Sequence, residues 1–308
     1  MRWLPLVLSF ALAAALAPAL LARLERAGVV RENYRGRVLP AASGMLIVLA
    51  AILALGPLAA LEEFTSADTL APEAGTALVF VIGVAVLGLL DDLLGGRRPA
   101  GAAIDQRAPR GLRGHARAAA RGDFSTGMLK AGGTLGLALY VLSNQGRSVS
   151  AYLVGVGVLA LSTNFFNLLD LRPGRAGKVF VAFGAILTLG SWNTYALRAL
   201  GLFIGPALVL LPYDLRERAM LGDTGSNVLG AVAGLWLIVA LGPKGEAIAL
   251  GLLALFTVYG EFRSISALVE RNALLRRLDS LGRPAFGRPS SGHHLNQPSE
   301  HAGTLGSS

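Results

Sequence analysis

The chain has 308 residues, of which 53% are hydrophobic and 15% charged, with a mean hydropathy of +0.56. A water-soluble domain needs more polar surface than that, so composition argues against a soluble enzyme and for a polytopic membrane protein. The formal charge of +9 would suit nucleic acid, but the basic residues sit between apolar runs, where juxtamembrane loops explain them; the absence of cysteine removes disulfides and thiolate metal sites.

A bilayer core takes about 20 apolar residues as a helix. Nine spans are predicted on that basis, at residues 3–22, 41–60, 75–94, 126–144, 149–169, 177–192, 197–212, 226–242 and 246–265. The first run, from Trp3 to Ala22, is too long for a signal-peptide core and has no basic start beyond Arg2, so it reads as a retained span. The sixth and seventh are short and closely joined. With the N-terminus outside, segments 23–40, 95–125, 170–178, 213–225 and 263–308 face inward and carry 23 of the 28 Lys and Arg residues. The outward connections carry only Arg147, Arg198 and Lys244. That asymmetry puts the N-terminus outside and the C-terminus in the cytoplasm.

The predicted fold is therefore all-α, a polytopic integral membrane helix bundle of about nine transmembrane helices, with residues 1–265 as the transmembrane catalytic domain. ISALVERNALLRRLDSLG alternates apolar and basic residues at helical spacing, which predicts an amphipathic interfacial helix over 266–282 along the inner membrane face. Residues 283–308 are rich in Pro, Gly and Ser and read as a flexible cytoplasmic tail.

Unusual polar groups gather at the inner ends of four spans. VAVLGLLDDLLGG ends the third span on Asp91 and Asp92. STGMLK opens the fourth and sets Lys130 about one helical turn into the apolar zone. NFFNLLDLRPGRAGK closes the fifth with Asn164, Asn167 and Asp170, spaced to share one helix face, then Arg172, Arg175 and Lys178. MLGDTGSN opens the eighth with Asp223, Gly225 and Ser226.

Each piece has a plain explanation by itself. Adjacent aspartates can be solvated at a helix end, and GDTGSN can be a turn with Asp223, Thr224 or Ser226 as N-cap. The asparagines can bond between helices, and Lys130 can snorkel to the headgroups. Their joint occurrence on one membrane side points instead to a site, because charge at membrane depth is costly and turns toward an interior or a watery cavity. Carboxylates and an amide oxygen beside lysine and arginines suit a hard divalent cation with phosphates; Mg2+ binds through one or two carboxylates plus substrate phosphate. Metal and lysine would neutralise charge on a transferring phosphoryl group. A second carboxylate would accept a proton. The Gly-rich helix start offers amides to an anion, and the arginines add phosphate contacts. An inner-face site within lipid implies one lipid substrate and one water-soluble, phosphate-bearing substrate.

At these residues the chain resembles the polyprenyl-phosphate N-acetylhexosamine-1-phosphate transferase superfamily, which includes the translocase that makes the first lipid intermediate of peptidoglycan. The likeness runs in order over roughly residues 30 to 230: NYRGRVLPAASG, LGLLDDLLG, RGLRGH followed by STGMLK, NFFNLLD and LGDTGSNVLG. It implies Mg2+-dependent (alternatively Mn2+-dependent) transfer of a sugar-1-phosphate from a UDP-sugar to undecaprenyl phosphate or a relative, with release of UMP. It implies metal ligation by Asp223 with Asn167, and phosphate contact by Lys130. Asp91 and Asp92 would deprotonate or position the lipid phosphate. Asp170 would sit at the nucleotide edge, with Asn33, Asn164, Arg172, Arg175, Gly225 and Ser226 as further substrate contacts. It also implies a plasma-membrane location with a cytoplasmic active site, a role in cell-envelope glycan synthesis, no nucleic-acid partner, and a homodimer.

The chain departs from the family at Asp170-Leu-Arg-Pro-Gly174, where the family continues Asp-Gly-x-Asp-Gly, so Pro173 stands for the second aspartate. GHHLNQ, with His293 and His294, echoes the family's late histidine motif. The departures leave a second class open, a diverged non-catalytic homologue that binds carrier lipid or acts as a scaffold. A transporter ranks behind both, because transport sites lie near the midplane on broken helices.

Overall fold

The structure, a computed structural model, describes residues 1–94 and 126–284. Its elements are α1 (Leu4–Arg26), a hairpin of β1 (Val30–Glu32) and β2 (Val38–Pro40), then α2 (Met45–Phe64), α3 (Ala74–Leu94), α4 (Thr126–Leu142), α5 (Val149–Leu169), α6 (Arg175–Ser191), α7 (Tyr195–Ala199), α8 (Gly201–Leu215), α9 (Gly222–Ala240), α10 (Pro243–Phe262), α11 (Ile265–Arg271) and α12 (Ala273–Ser280). The RGLRGH motif, the histidines of GHHLNQ and nearly all of the expected tail lie outside the described residues.

Among the described residues, six helices are long and apolar enough to cross a membrane: α1, α2, α3, α5, α9 and α10. Each coincides with an expected span. The other three expected spans fall on shorter helices, α4 and α6 with 17 residues and α8 with 15. At about 1.5 Å per residue, 15 to 17 residues reach about 22–26 Å, less than a hydrocarbon core of about 30 Å. The span expected at 197–212 breaks at Leu200 into α7 and α8. There α8 runs against α1 so closely that a Cβ on Gly205 would lie 2.5 Å from the Leu6 carbonyl oxygen.

One correction to the all-α expectation is the antiparallel hairpin, paired Val30 to Pro40 and Glu32 to Val38. It forms because Asn33 Oδ1 accepts from the amides of Arg35 (2.8 Å) and Arg37 (3.0 Å), and Gly36 supplies a left-handed φ of 73°.

The bundle is built around α9. Within its most apolar stretch 78% of residues are buried, against 6% for α10. Such burial needs close neighbours, and α9 supplies small residues. A Cβ on Gly230 would sit 2.6 Å from the Ser162 carbonyl oxygen on α5, and one on Gly88 of α3 would sit 2.7 Å from the carbonyl oxygen of Asp223. Small residues let helix backbones approach where lipid offers no hydrophobic drive for association. The periphery is apolar instead: Ile52, Val86, Leu153, Ile186, Leu252 and Leu255 are exposed. A belt this greasy needs lipid rather than water around it. The same end of the bundle collects the C-termini of α3, α5 and α8, the N-termini of α4, α6 and α9, and the hairpin, as their side-chain bonds below show.

Candidate functional site

The centre of that end is Lys130. It sits one turn into α4, and its ammonium donates to Asp91 Oδ2 of α3 at 3.0 Å and to Asp223 Oδ2 of α9 at 2.7 Å. Thr126, one turn earlier on α4, donates its hydroxyl to Asp91 Oδ1 at 2.5 Å. Three helices therefore meet through one cation and two carboxylates. The side chains keep contact with solvent, at 16% exposure for Asp91 and Lys130 and 27% for Asp223.

Asp92 turns elsewhere. Its carboxylate accepts from the backbone amides of Asp223 and Thr224, each at 2.9 Å, and from the Thr224 hydroxyl at 2.7 Å. Arg31 of β1 lies 3.7 Å away. Gly222 makes the approach possible: its φ is 69°, and a Cβ there would fall 2.6 Å from Asp92 Oδ2 and 2.9 Å from the Ala42 amide nitrogen. The segment before α2 locks the same corner from the other side. Ser43 donates its hydroxyl to the Met220 carbonyl at 2.7 Å, and the Gly44 amide reaches the Leu221 carbonyl at 3.2 Å. Gly225 serves this packing, since a Cβ on Gly44 would lie 2.1 Å from its Cα.

The asparagine motif on α5 splits between two neighbours. Asn167 faces α9, where the Ser226 hydroxyl shares its proton between Asn167 Oδ1 (3.1 Å) and the Gly222 carbonyl (3.0 Å). Asn164 faces α10, with its amide 3.5 Å from the Thr257 hydroxyl. Asp170 ends α5 as its C-cap. Loss of hydration raises its carboxyl well above the ordinary carboxylate range, and the negative charges of Asp214, Asp223 and Asp92 push the same way against Arg31.

The basic loop is engaged by the chain itself. Arg175 is buried and holds Asp279 of α12 through two bonds of 2.8 and 3.0 Å, with Ser266 of α11 at 3.0 Å. Lys178 donates to the carbonyls of Leu278, Asp279 and Leu281 at the end of α12. Arg172 pairs with Glu270 at 3.0 Å and stacks on the Tyr34 ring, 4.5 Å from its centroid. Arg283 Nε donates to the Pro173 carbonyl at 2.8 Å. All three basic residues expected at substrate phosphates thus clasp α11 and α12 against the loop.

Two acids that sequence reasoning passed over organise this region. Asp214, buried on α8, accepts from the Gly174 amide at 2.8 Å and holds the loop's left-handed turn. Glu217 has no exposed side-chain surface and pairs with Arg35 and Arg37, both at 3.2 Å. It also takes the Asn33 amide at 3.3 Å, so Asn33 spends its groups inside the hairpin and on Glu217. The signal lies in YDLRER: two acids set between an apolar run and GDTGSN, beside arginines that by themselves read only as inward-facing charge.

Neither a protein-family model nor a curated protein matches this chain. Its chemistry is read from its own side chains. Among the described residues, no group of three or more His, Asp or Glu is placed to hold a metal ion alone. What the site offers is hard oxygen: the partly exposed Asp223 carboxylate at the start of α9 and, on α5, the Asn167 amide oxygen that accepts from Ser226 of the same α9 turn. That donor set fits a Mg2+ or Mn2+ ion whose remaining ligands are water and substrate phosphate, and does not fit a self-sufficient protein cage.

Proposed function

We propose that the protein is a Mg2+-dependent phosphoglycosyl transferase that moves a sugar-1-phosphate from a UDP-sugar to polyprenyl (undecaprenyl) phosphate and releases UMP. The observation that carries this reading is Lys130, held between Asp91 and Asp223 from two other helices at a solvent-touching mouth. In the reaction, an oxygen of the carrier phosphate attacks the sugar-linked phosphorus of the UDP-sugar. A phosphorus–oxygen bond forms, the bond to the bridging oxygen breaks, and that oxygen leaves on UMP. Two anions must meet, so a cation at the point of contact is the first requirement. Lys130 supplies it, and Asp91 beside it would take the proton of the carrier phosphate. Asp223 and Asn167 would hold the metal ion, which when bound would neutralise charge on the diphosphate.

In this reading the three shorter helices cross the bilayer with the other six, and the Lys and Arg excess sets the mouth at the cytoplasmic face of the plasma membrane. The carrier would enter sideways from lipid and the UDP-sugar from the cytosol. Helix α12 supports an interfacial placement: Leu274, Leu278 and Leu281 are exposed along one face, beside Arg276 and Arg277.

The test is a panel of UDP-sugars given to purified protein with undecaprenyl phosphate and Mg2+, reading UMP. Release that needs both the carrier and the metal, and that disappears in Asp223→Asn, supports the reading; silence across the panel sinks it. The engaged arginine loop favours one second reading, a diverged homologue that binds carrier lipid without turnover. Carrier binding with no UMP from any sugar would select it.

A further inference from the structure

Successive residues on an α-helix point about 100° apart, and Asp91 and Asp92 turn to different groups. Asp91 faces Lys130 and Thr126 of α4. Asp92 faces the start of α9, its side chain 1% exposed and three donors already on its two oxygens. The first amides of a helix have no partner within it. Here two of them, on Asp223 and Thr224, are satisfied by a carboxylate from another helix rather than by a local cap. None of the side chains expected to cap α9 does so.

We infer that Asp92 is a positioning residue: it caps α9 from α3, and by gripping the Asp223 amide it sets where the Asp223 carboxylate stands relative to Lys130. Asp91 is then the member of the pair that meets substrate. The division rests on the transferase reading for its catalytic consequence, but the capping itself does not. It also accounts for Gly222, the residue whose missing Cβ lets Asp92 reach the helix start.

The experiment compares Asp92→Ala, Asp92→Asn, Thr224→Val and Asp91→Asn in the full chain. Hydrogen exchange is followed at the amides of Asp223 and Thr224, alongside melting temperature and the kcat and KM for UMP release. Asp92→Ala should speed exchange at both amides. Asp92→Asn, which keeps one acceptor oxygen, should retain part of the protection, and Thr224→Val, which loses only the hydroxyl bond, should show the smallest change. In the Asp92 variants kcat should fall about 10–100-fold, the range for residues that orient a metal ligand, with KM for the UDP-sugar unchanged. Asp91→Asn should abolish turnover and leave exchange at the two amides as in the wild type.

Unchanged exchange in every Asp92 and Thr224 variant overturns the capping, as does faster exchange with wild-type kcat for the positioning. Should Asp92→Ala not accumulate as folded protein, Asp92→Asn and Thr224→Val decide by the same readouts. If no UDP-sugar supports turnover in the wild type, the transferase reading fails by itself, and exchange still decides whether Asp92 holds α9.

Discussion

Arg175→Ala tests whether this arginine holds the chain's own α12 or waits for substrate phosphate. The residue makes a two-point contact with Asp279, with side chains 5% and 14% exposed. Breaking a largely buried charged pair costs about 3–5 kcal/mol, but Asp279 keeps Arg283 at 2.8 Å. The expected loss is therefore nearer the value of charged hydrogen bonds, about 2–3 kcal/mol. Because α12 has no buried residue, the loss should appear as local release of α11 and α12 rather than global unfolding. At 1.4 kcal/mol per tenfold, the open population should rise about 30–150-fold. Limited trypsin cleavage after Arg276 and Arg277 reads that population when opening is faster than cutting. Asp279→Ala should give a similar increase and the double variant little more, since both singles remove one interaction. Additive effects in this cycle would refute the clasp. An unchanged cleavage rate with a raised KM for the UDP-sugar would return Arg175 to the substrate.

Acidification should act on the same clasp. Burial alone would raise the Asp279 carboxyl, but hydrogen bonds and charge from Arg175, with Arg283, hold it below its ordinary value. A depressed folded-state value contributes stability above the unfolded carboxylate range, about pH 4, and that contribution fades as pH falls further. The protection of α12 amides, taken as exchange relative to the intrinsic rate at each pH, should therefore be flat from neutral pH to about 5 and fall below about 4; loss of protection near neutrality would contradict this. Gly222→Ala places a Cβ 2.6 Å from Asp92 Oδ2 at a φ of 69°, so it should cost at least the left-handed penalty of about 1–2 kcal/mol, read as a lower melting temperature, and should depress UMP release with it. Glu217→Ala removes the buried anion shared by Arg35 and Arg37. It should loosen the hairpin, measured as faster exchange across residues 30–40, while helical circular dichroism stays unchanged.

Much of the bundle was written in the one-dimensional pattern. Apolar runs of fixed length against loops of basic residues marked where the six long apolar helices among the described residues lie, because lipid demands that every backbone group be paired within a span. The four polar clusters were legible for a related reason: an aspartate or lysine next to membrane is costly enough to stand out. Their meeting at one mouth followed from counting spans. Tertiary structure decided the assignments within that mouth. Asp91 and Asp92 look alike in a string, yet one faces a lysine and the other a helix start. Asn164 and Asn167 share a helix face by spacing, yet touch α10 and α9. Arg172, Arg175 and Lys178 read as phosphate ligands until the distant residues 266–281 are seen to occupy them. The lengths and depths of helices are local matters, governed by one segment and its solvent. Which partner a polar side chain takes depends on residues some 40 to 130 positions away, and that pairing exists only once the helices have packed.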